Sequence, residues 1–366
     1  MMDFSEFGQP TKEWLNFVAT NPSAARDGFS GNDPAQAGFL RKESNKARST
    51  VSERLLAESG LDTRVKRSTV QLPSRGSHTI PLRLYEPQAL KPEEVVGAVL
   101  YFHGGGYLLG DETSDDFLCC RIAGETKTVV LSVIYRHTHK YKHPAQVDDA
   151  LDAFSYLRKN DTAVHPILQL GRLVVMGISA GCTLAANVVL EDVRLSRSHP
   201  GYKARVTGAL LGIPWLIHID NYPFGLFESR EVTAKVQNEE APVIPYERLQ
   251  LFSKLLGCED PADERLNIAL LSPQELGDWP RTAFLVAGAD PLRDDGLLLV
   301  TKLESMDVPT KVHVYPGLPH GFRRWNQLNA THAFDGAILD SIGWALGHNS
   351  PQLDRGGHWD VYNPDR

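Results

Sequence analysis

The sequence predicts an α/β protein: a mostly parallel, eight-stranded sheet with helices on both faces and a helical cover over one end. Three observations lead there. Six short runs are apolar almost throughout: VVGAVLYF (95–102), TVVLSVIY (128–135), RLVVMG (172–177), VTGALLGI (206–213), TAFLVAG (282–288) and KVHVY (311–315). Strands buried on both faces read this way. Helical patterns separate these runs, as the crossovers of a parallel sheet require. Two earlier runs, RVKRSTVQL and IPLRLYEP, instead alternate as exposed antiparallel strands do.

Residues 10–60 lack strand patterning and read as helical. Thr11 suits the N-cap of a helix through EWLNFV; a second helix runs from Pro34, a first-turn residue, to about Gly60, a helix-ending residue. The two alternating strands follow, then the apolar runs. One intervening helix is explicit, because Val147, Leu151, Phe154 and Leu157 recur at helical spacing through 145–159. The stretch 216–256, between the sixth and seventh strands, holds Pro, Tyr and Phe in no strand pattern. It reads as an excursion that joins residues 1–62 in covering one end of a main domain at 63–366.

Composition narrows the function. The formal charge of −7, with no Lys/Arg cluster to offset it, argues against a nucleic acid or an anionic membrane as partner. The opening MMDFSEFGQPTKEW carries acids and no apolar run, so neither a secretory signal nor a membrane anchor is expected there. Four cysteines, Cys119, Cys120, Cys182 and Cys258, fit neither a disulfide framework nor a zinc site. Free thiols in the cytoplasm are the expectation. The reading allows a homodimer.

Sites in such sheets lie beyond the carboxyl ends of the strands. His103-Gly104-Gly105-Gly106-Tyr107 follows the third strand, Gly177-Ile178-Ser179-Ala180-Gly181 the fifth, Asp290 the seventh and His320 the eighth. Glycines two residues either side of Ser179 relieve a sharp strand-to-helix bend, which lets the hydroxyl project. The helix that follows aims its amides and dipole at developing negative charge. A serine hydroxyl needs a base, the part expected of His320, while Asp290 fixes the imidazole tautomer and stabilises the imidazolium. Backbone N–H groups of Gly105, Gly106 and Ala180 can converge on one oxygen if no side chains intervene, which accounts for the glycine run. The four motifs together point to acyl transfer through a serine nucleophile.

HGGGYLLG, the YR…HPAQVDDALDAFSYL segment, GISAGC, DPLRDDG and HGFRRW resemble the hormone-sensitive-lipase group of α/β-hydrolases over most of residues 65–347. DFSEFGQPTKEWL, YRHTHKYKH and HGFRRWNQL followed by IGWAL look most like a fungal branch of that group. The resemblance implies a two-part cap over the pocket. It also implies hydrolysis of short to medium acyl esters, a small-molecule substrate and no metal or organic cofactor. Two positions depart from the pattern: Cys182 stands where the family usually has Gly, and Ile178 where Asp is common. A thioester or lactone substrate, as in polyketide secondary metabolism, uses the same attack and stays open. So does a small-molecule receptor on the same fold, although such receptors lose the histidine that is present here.

Other residues have plainer readings. His103 is expected to support the oxyanion loop with Gly104 by hydrogen bonding. Asp294 and Asp295 read as charge at a helix N-terminus, leaving Asp290 as the partner of His320. His137, His139 and His143 lack a nearby carboxylate or Cys to complete a metal set. Cys182 is expected to be buried and inert. Tyr107 and Trp215 are candidates for lining a substrate pocket.

Overall fold

The computed structural model describes the chain except residues 26–32, 89, 92–93, 161–163, 167, 169–170, 348–356, 365 and 366. Nine strands form one sheet: β1 Val65–Pro73, β2 Thr79–Pro87, β3 Gly97–Phe102, β4 Thr128–Val133, β5 Leu173–Ile178, β6 Val206–Gly212, β7 Thr282–Ala289, β8 Thr310–Pro319 and β9 His358–Val361. Their order is β1-β2-β4-β3-β5-β6-β7-β8-β9. The pairs β1–β2 and β2–β4 are antiparallel and all others parallel.

The eight expected strands are present, and a ninth corrects the count. β9 pairs parallel with β8, placing Trp359 opposite Val312. It is four residues long with three of them exposed, so it carries no apolar run for a sequence reading to find.

The apolar runs are explained by a sheet covered on both sides. Leu100, Val175, Leu211 and Phe284 enter one core, while their neighbours Val99, Val174, Leu210 and Leu285 enter the other. Successive strand side chains point to opposite faces, so both faces must be apolar. Among the described residues, the helices longer than two turns are α1 Lys12–Thr20, α2 Ala37–Ser59, α3 Asp116–Thr126, α4 Ala145–Lys159, α5 Ala180–Ser198, α6 Tyr246–Leu256, α7 Arg293–Ser305 and α8 Asn329–Ala345. On the first face lie α4, α5 and α7, through residues such as Phe154, Leu184 and Leu299. On the second lie α3 and α8, through Ile122, Phe334 and Ile338.

Helix boundaries follow local chemistry. The Thr11 hydroxyl accepts from the Trp14 amide at 3.3 Å and so caps α1. Pro34 opens a short 3-10 turn that leads into α2, and Gly60 ends α2 in the left-handed conformation at φ 66°.

The excursion after β6 is pinned from within. Asp294 and Asp295 do lie in the first turn of α7, but both are fully buried and turned toward the excursion. Asp294 accepts from the Tyr222 hydroxyl and the Ala234 amide, both at 2.6 Å. Asp295 accepts from the amides of Leu216 and Ile217 at 3.0 Å each. All four cysteines are free thiols. Among the described residues, no helix is long and apolar enough to cross a membrane.

Candidate active site

β5 ends at Ile178 and α5 starts at Ala180, so Ser179 alone makes the turn, at φ 54° and ψ −123°. A non-glycine residue held there costs on the order of 1–3 kcal/mol, and the surroundings must over-determine it. They do. The Ser179 amide donates to the Gly212 carbonyl at 2.8 Å, and the Ser179 carbonyl accepts from the Cys182 amide at 2.9 Å. The flanking glycines are sterically obligatory. A Cβ at Gly177 would stand 2.4 Å from the Gly181 carbonyl oxygen, and one at Gly181 would stand 2.1 Å from that of Phe102.

His320 follows β8 and Asp290 follows β7, on the same sheet edge. His320 Nε2 lies 2.9 Å from Ser179 Oγ, and its Nδ1 lies 2.7 Å from Asp290 Oδ2. With Nδ1–H donated to the carboxylate, Nε2 is left to accept the serine proton. Asp290 Oδ1 accepts from the Leu292 amide at 2.8 Å, so both carboxylate oxygens are engaged and the imidazole is fixed in direction. Asn238, which the sequence did not mark, donates to the Asp290 carbonyl at 3.1 Å and ties the excursion to this corner.

The glycine run lies beside Ser179. Gly105 and Gly106 have φ of 131° and 60°. A Cβ would meet the Leu109 carbonyl oxygen at 2.5 Å from Gly105, and the Phe252 ring at 2.2 Å from Gly106. One at Gly104 would lie 2.9 Å from the Ile178 carbonyl oxygen. Side chains are thus excluded on the approach to Ser179. Ala180 is the first residue of α5, where an amide has no intrahelical acceptor. Ala180 adjoins Ser179 in the chain, and Gly105 and Gly106 continue from Gly104, where a Cβ would stand 3.3 Å from Ser179 Cβ.

His103 turns away from Ser179. Its Nδ1 lies 3.0 Å from the Gly104 carbonyl oxygen, and its ring stacks on Tyr135 at 4.4 Å and His137 at 5.3 Å. The Tyr135 hydroxyl donates to the His103 carbonyl at 2.9 Å. Burial, assisted by the Arg48 charge, pushes the His103 pKa down to about 4, so the ring is neutral at pH 7. Burial also drives His137 well below the ordinary histidine value.

Two pocket candidates need correction. Tyr107 and Trp215 do not line the cavity that opens on Ser179. Their rings pack together at 5.5 Å, and the Tyr107 hydroxyl donates to Thr183 Oγ1 at 2.7 Å, which in turn donates to the Trp215 carbonyl. They are core. Cys182 is fully buried, its thiol donating to the Gly212 carbonyl at 3.3 Å and held protonated by burial. Among the described residues, the one three-ligand group is His143, Cys258 and Asp263, which takes a single histidine from the 137–143 run. The Arg265 guanidinium already grips both oxygens of Asp263, at 2.6 Å for the closest, where it would repel a cation.

The cavity beyond Ser179 holds about 830 Å³. α2 contributes Phe39 and Val51, the glycine loop Leu109, and the excursion Val243, Ile244 and Phe252.

A family model described as the α/β hydrolase fold matches residues 99–324. The chain is 31% identical to ethyl acetate hydrolase of Pseudomonas putida, across 71% of this chain and 77% of that one. It is 30% identical to versiconal hemiacetal acetate esterase of Dothistroma septosporum, across 67% and 72%. Among solved structures, vibralactone cyclase superposes with a TM-score of 0.80 at 22% identity, covering 95% of this chain and 97% of that one.

Proposed function

The chain belongs to the carboxylesterase group of α/β hydrolases that is like hormone-sensitive lipase, and we propose from this that it is a serine carboxylester hydrolase whose catalytic residues are Ser179, His320 and Asp290. The line from Ser179 Oγ through His320 to Asp290, at 2.9 and 2.7 Å, is the observation that supports the assignment.

Ser179 Oγ attacks the acyl carbon while its proton passes to His320 Nε2. The negative charge that collects on the carbonyl oxygen is met by amides of Gly105, Gly106 and Ala180. The intermediate collapses, the alcohol leaves with the proton from Nε2, and the acyl group stays on Ser179. Water then gives a proton to Nε2 as its oxygen attacks the acyl carbon; the bond to Ser179 Oγ breaks, Oγ takes the proton back from Nε2, and the carboxylic acid leaves. Asp290 keeps Nδ1–H in place throughout and stabilises the imidazolium.

Residues 1–62 and about 216–256 act as the cap. The support is that α2 and the excursion supply much of the cavity wall. A space of this size accommodates a ligand far larger than a short acyl chain. The substrate is therefore read as a short-to-medium acyl ester of a sizeable alcohol. The likeness to an enzyme named as an acetate esterase supports a small acyl group. Work in the cytoplasm of a fungus, in secondary metabolism, is the corresponding setting.

A fluorophosphonate probe tests the assignment. The wild type is expected to label, and Ser179→Ala and His320→Ala to stay unlabelled while folded. Equal labelling of all three contradicts it.

A further inference from the structure

α2 shows the 103–117 loop a polar face. Arg41, Asn45, Arg48 and Ser52 recur at intervals of four, three and four, which places them along one stripe of a helix. Each bonds to that loop. Arg41 donates to the Leu108 carbonyl. Asn45 takes both backbone groups of Gly110, accepting from its amide at 2.8 Å and donating to its carbonyl at 3.1 Å. Arg48 donates to the Gly104 carbonyl at 3.2 Å and to Asp115 at 2.9 Å. The Ser52 hydroxyl accepts from the Phe117 amide at 2.8 Å.

The loop needs such holding. Four residues within 105–110 have positive φ, Gly105, Gly106, Tyr107 and Gly110, at 131°, 60°, 60° and 103°. Its internal backbone bonds, from the Leu108 and Leu109 amides to the Gly105 carbonyl, leave the Gly104 carbonyl to side chains, the adjacent His103 ring at 3.0 Å and Arg48 from α2. That carbonyl matters because it shares a rigid peptide plane with the Gly105 amide. In a trans peptide the two point in opposite directions, so fixing the oxygen on one side aims the N–H on the other. A charged donor on the oxygen also polarises the unit and strengthens the N–H as a donor.

We propose that Arg48 is a positioning residue for catalysis: through the Gly104 carbonyl it aims the Gly105 N–H at the reacting oxygen, with Asn45 and Asp115 holding the clamp. α2 is then part of the catalytic apparatus as well as a wall of the pocket. Asp115 is itself fixed by the Tyr101 hydroxyl at 2.7 Å, which anchors the far end of the guanidinium to the sheet. The Asn45–Gly110 pair serves the same end. Gly110 lies directly under the His103 ring, close enough that a Cβ would touch it at 2.3 Å, and that ring bears on the same Gly104 oxygen. The proposal rests on the esterase reading and deepens it.

The test uses the full chain and a p-nitrophenyl ester. Removing Arg48 alone would strand a charge on Asp115, so the variant is the double substitution Arg48→Met/Asp115→Asn. Its expected effect is a fall in kcat of about 10²-fold with KM within about twofold, comparable to loss of one oxyanion donor. The inhibition constant of a trifluoromethyl ketone should rise in parallel, because that compound presents the tetrahedral oxyanion. Arg48→Lys keeps the charge but loses the two-pronged reach, and should lose at least about tenfold in kcat. It decides the question should the double variant not fold. A folded variant with unchanged kcat overturns the proposal, and so does a rise in KM alone, which would make Arg48 a substrate contact. Loss of activity in Ser179→Ala, measured alongside, separates the two readings. If that variant keeps full activity, the esterase site itself is misassigned and the proposal falls with it.

Discussion

Gly106 shows how closely single residues are determined at this site. Its φ of 60° and the Phe252 ring 2.2 Å from any added Cβ leave no room for alanine. Gly106→Ala is expected to lower kcat by about 10²–10³-fold through the displaced amide, and to cost about 1–3 kcal/mol of stability from overpacking. Steady-state kinetics and urea denaturation read the two separately. Another prediction at this scale concerns pH. His103 is neutral in the fold, its pKa depressed from the ordinary value to about 4, facing Arg48, Arg41 and Asp115. The folded state therefore resists the proton that the unfolded chain accepts. Its contribution is fully present above pH 6.5 and is lost as pH falls toward 4, at about 2 kcal/mol by pH 5 for this residue alone. His137 acts in the same direction. Denaturation curves between pH 8 and 5 should show the decline, and His137→Phe, which keeps the stack, should reduce its slope. The residues around Ser179 were legible in the sequence because their reason is local: glycine where a backbone bend or approach excludes Cβ. Arg48 and Asn45 were not, because a side chain bonding a backbone 56 or 65 residues away leaves no pattern.

Among the elements, α2 departs most from its sequence reading. The sequence reading made it only a helix of the cover, yet its Arg41, Asn45, Arg48 and Ser52 stripe grips the glycine loop. A chain lacking residues 1–60 is therefore expected to lose kcat, by about 10²-fold or more if Gly105 is freed, beyond any change in acyl preference. A soluble truncation with intact kcat and altered chain-length selectivity alone would contradict this. The strands were legible for the opposite reason. Continuous apolar runs arise wherever both faces are covered, and the two cores divide β3, β5, β6 and β7 residue by residue. Asp294 and Asp295 belong to this scale too, since their contacts with the excursion are long-range and only the fold reveals them.

For the whole molecule, the sequence conveyed the class but neither the strand order nor the last strand. The exchange of β3 and β4 in the order, with β2 antiparallel beside β4, depends on which crossover packs over which face. β9 closes the sheet edge far from Ser179. Trp359 stacks on Phe7 at 6.3 Å and donates to Glu304 at 2.8 Å, and the Tyr362 hydroxyl donates to Glu13 at 2.9 Å. Removing residues 357–366 should cost about 1–3 kcal/mol, the burial of one large aromatic, and leave kcat within about twofold. Thermal unfolding and kinetics on the truncated chain check both halves. The central claim is that an acyl group passes through Ser179. It is met most directly by mixing the enzyme with a p-nitrophenyl ester, quenching in acid within the first turnover, and mapping the acyl group by peptide mass. An acyl mass on the peptide bearing Ser179, absent in Ser179→Ala, is the predicted result; acylation elsewhere, or undiminished turnover by Ser179→Ala, contradicts it.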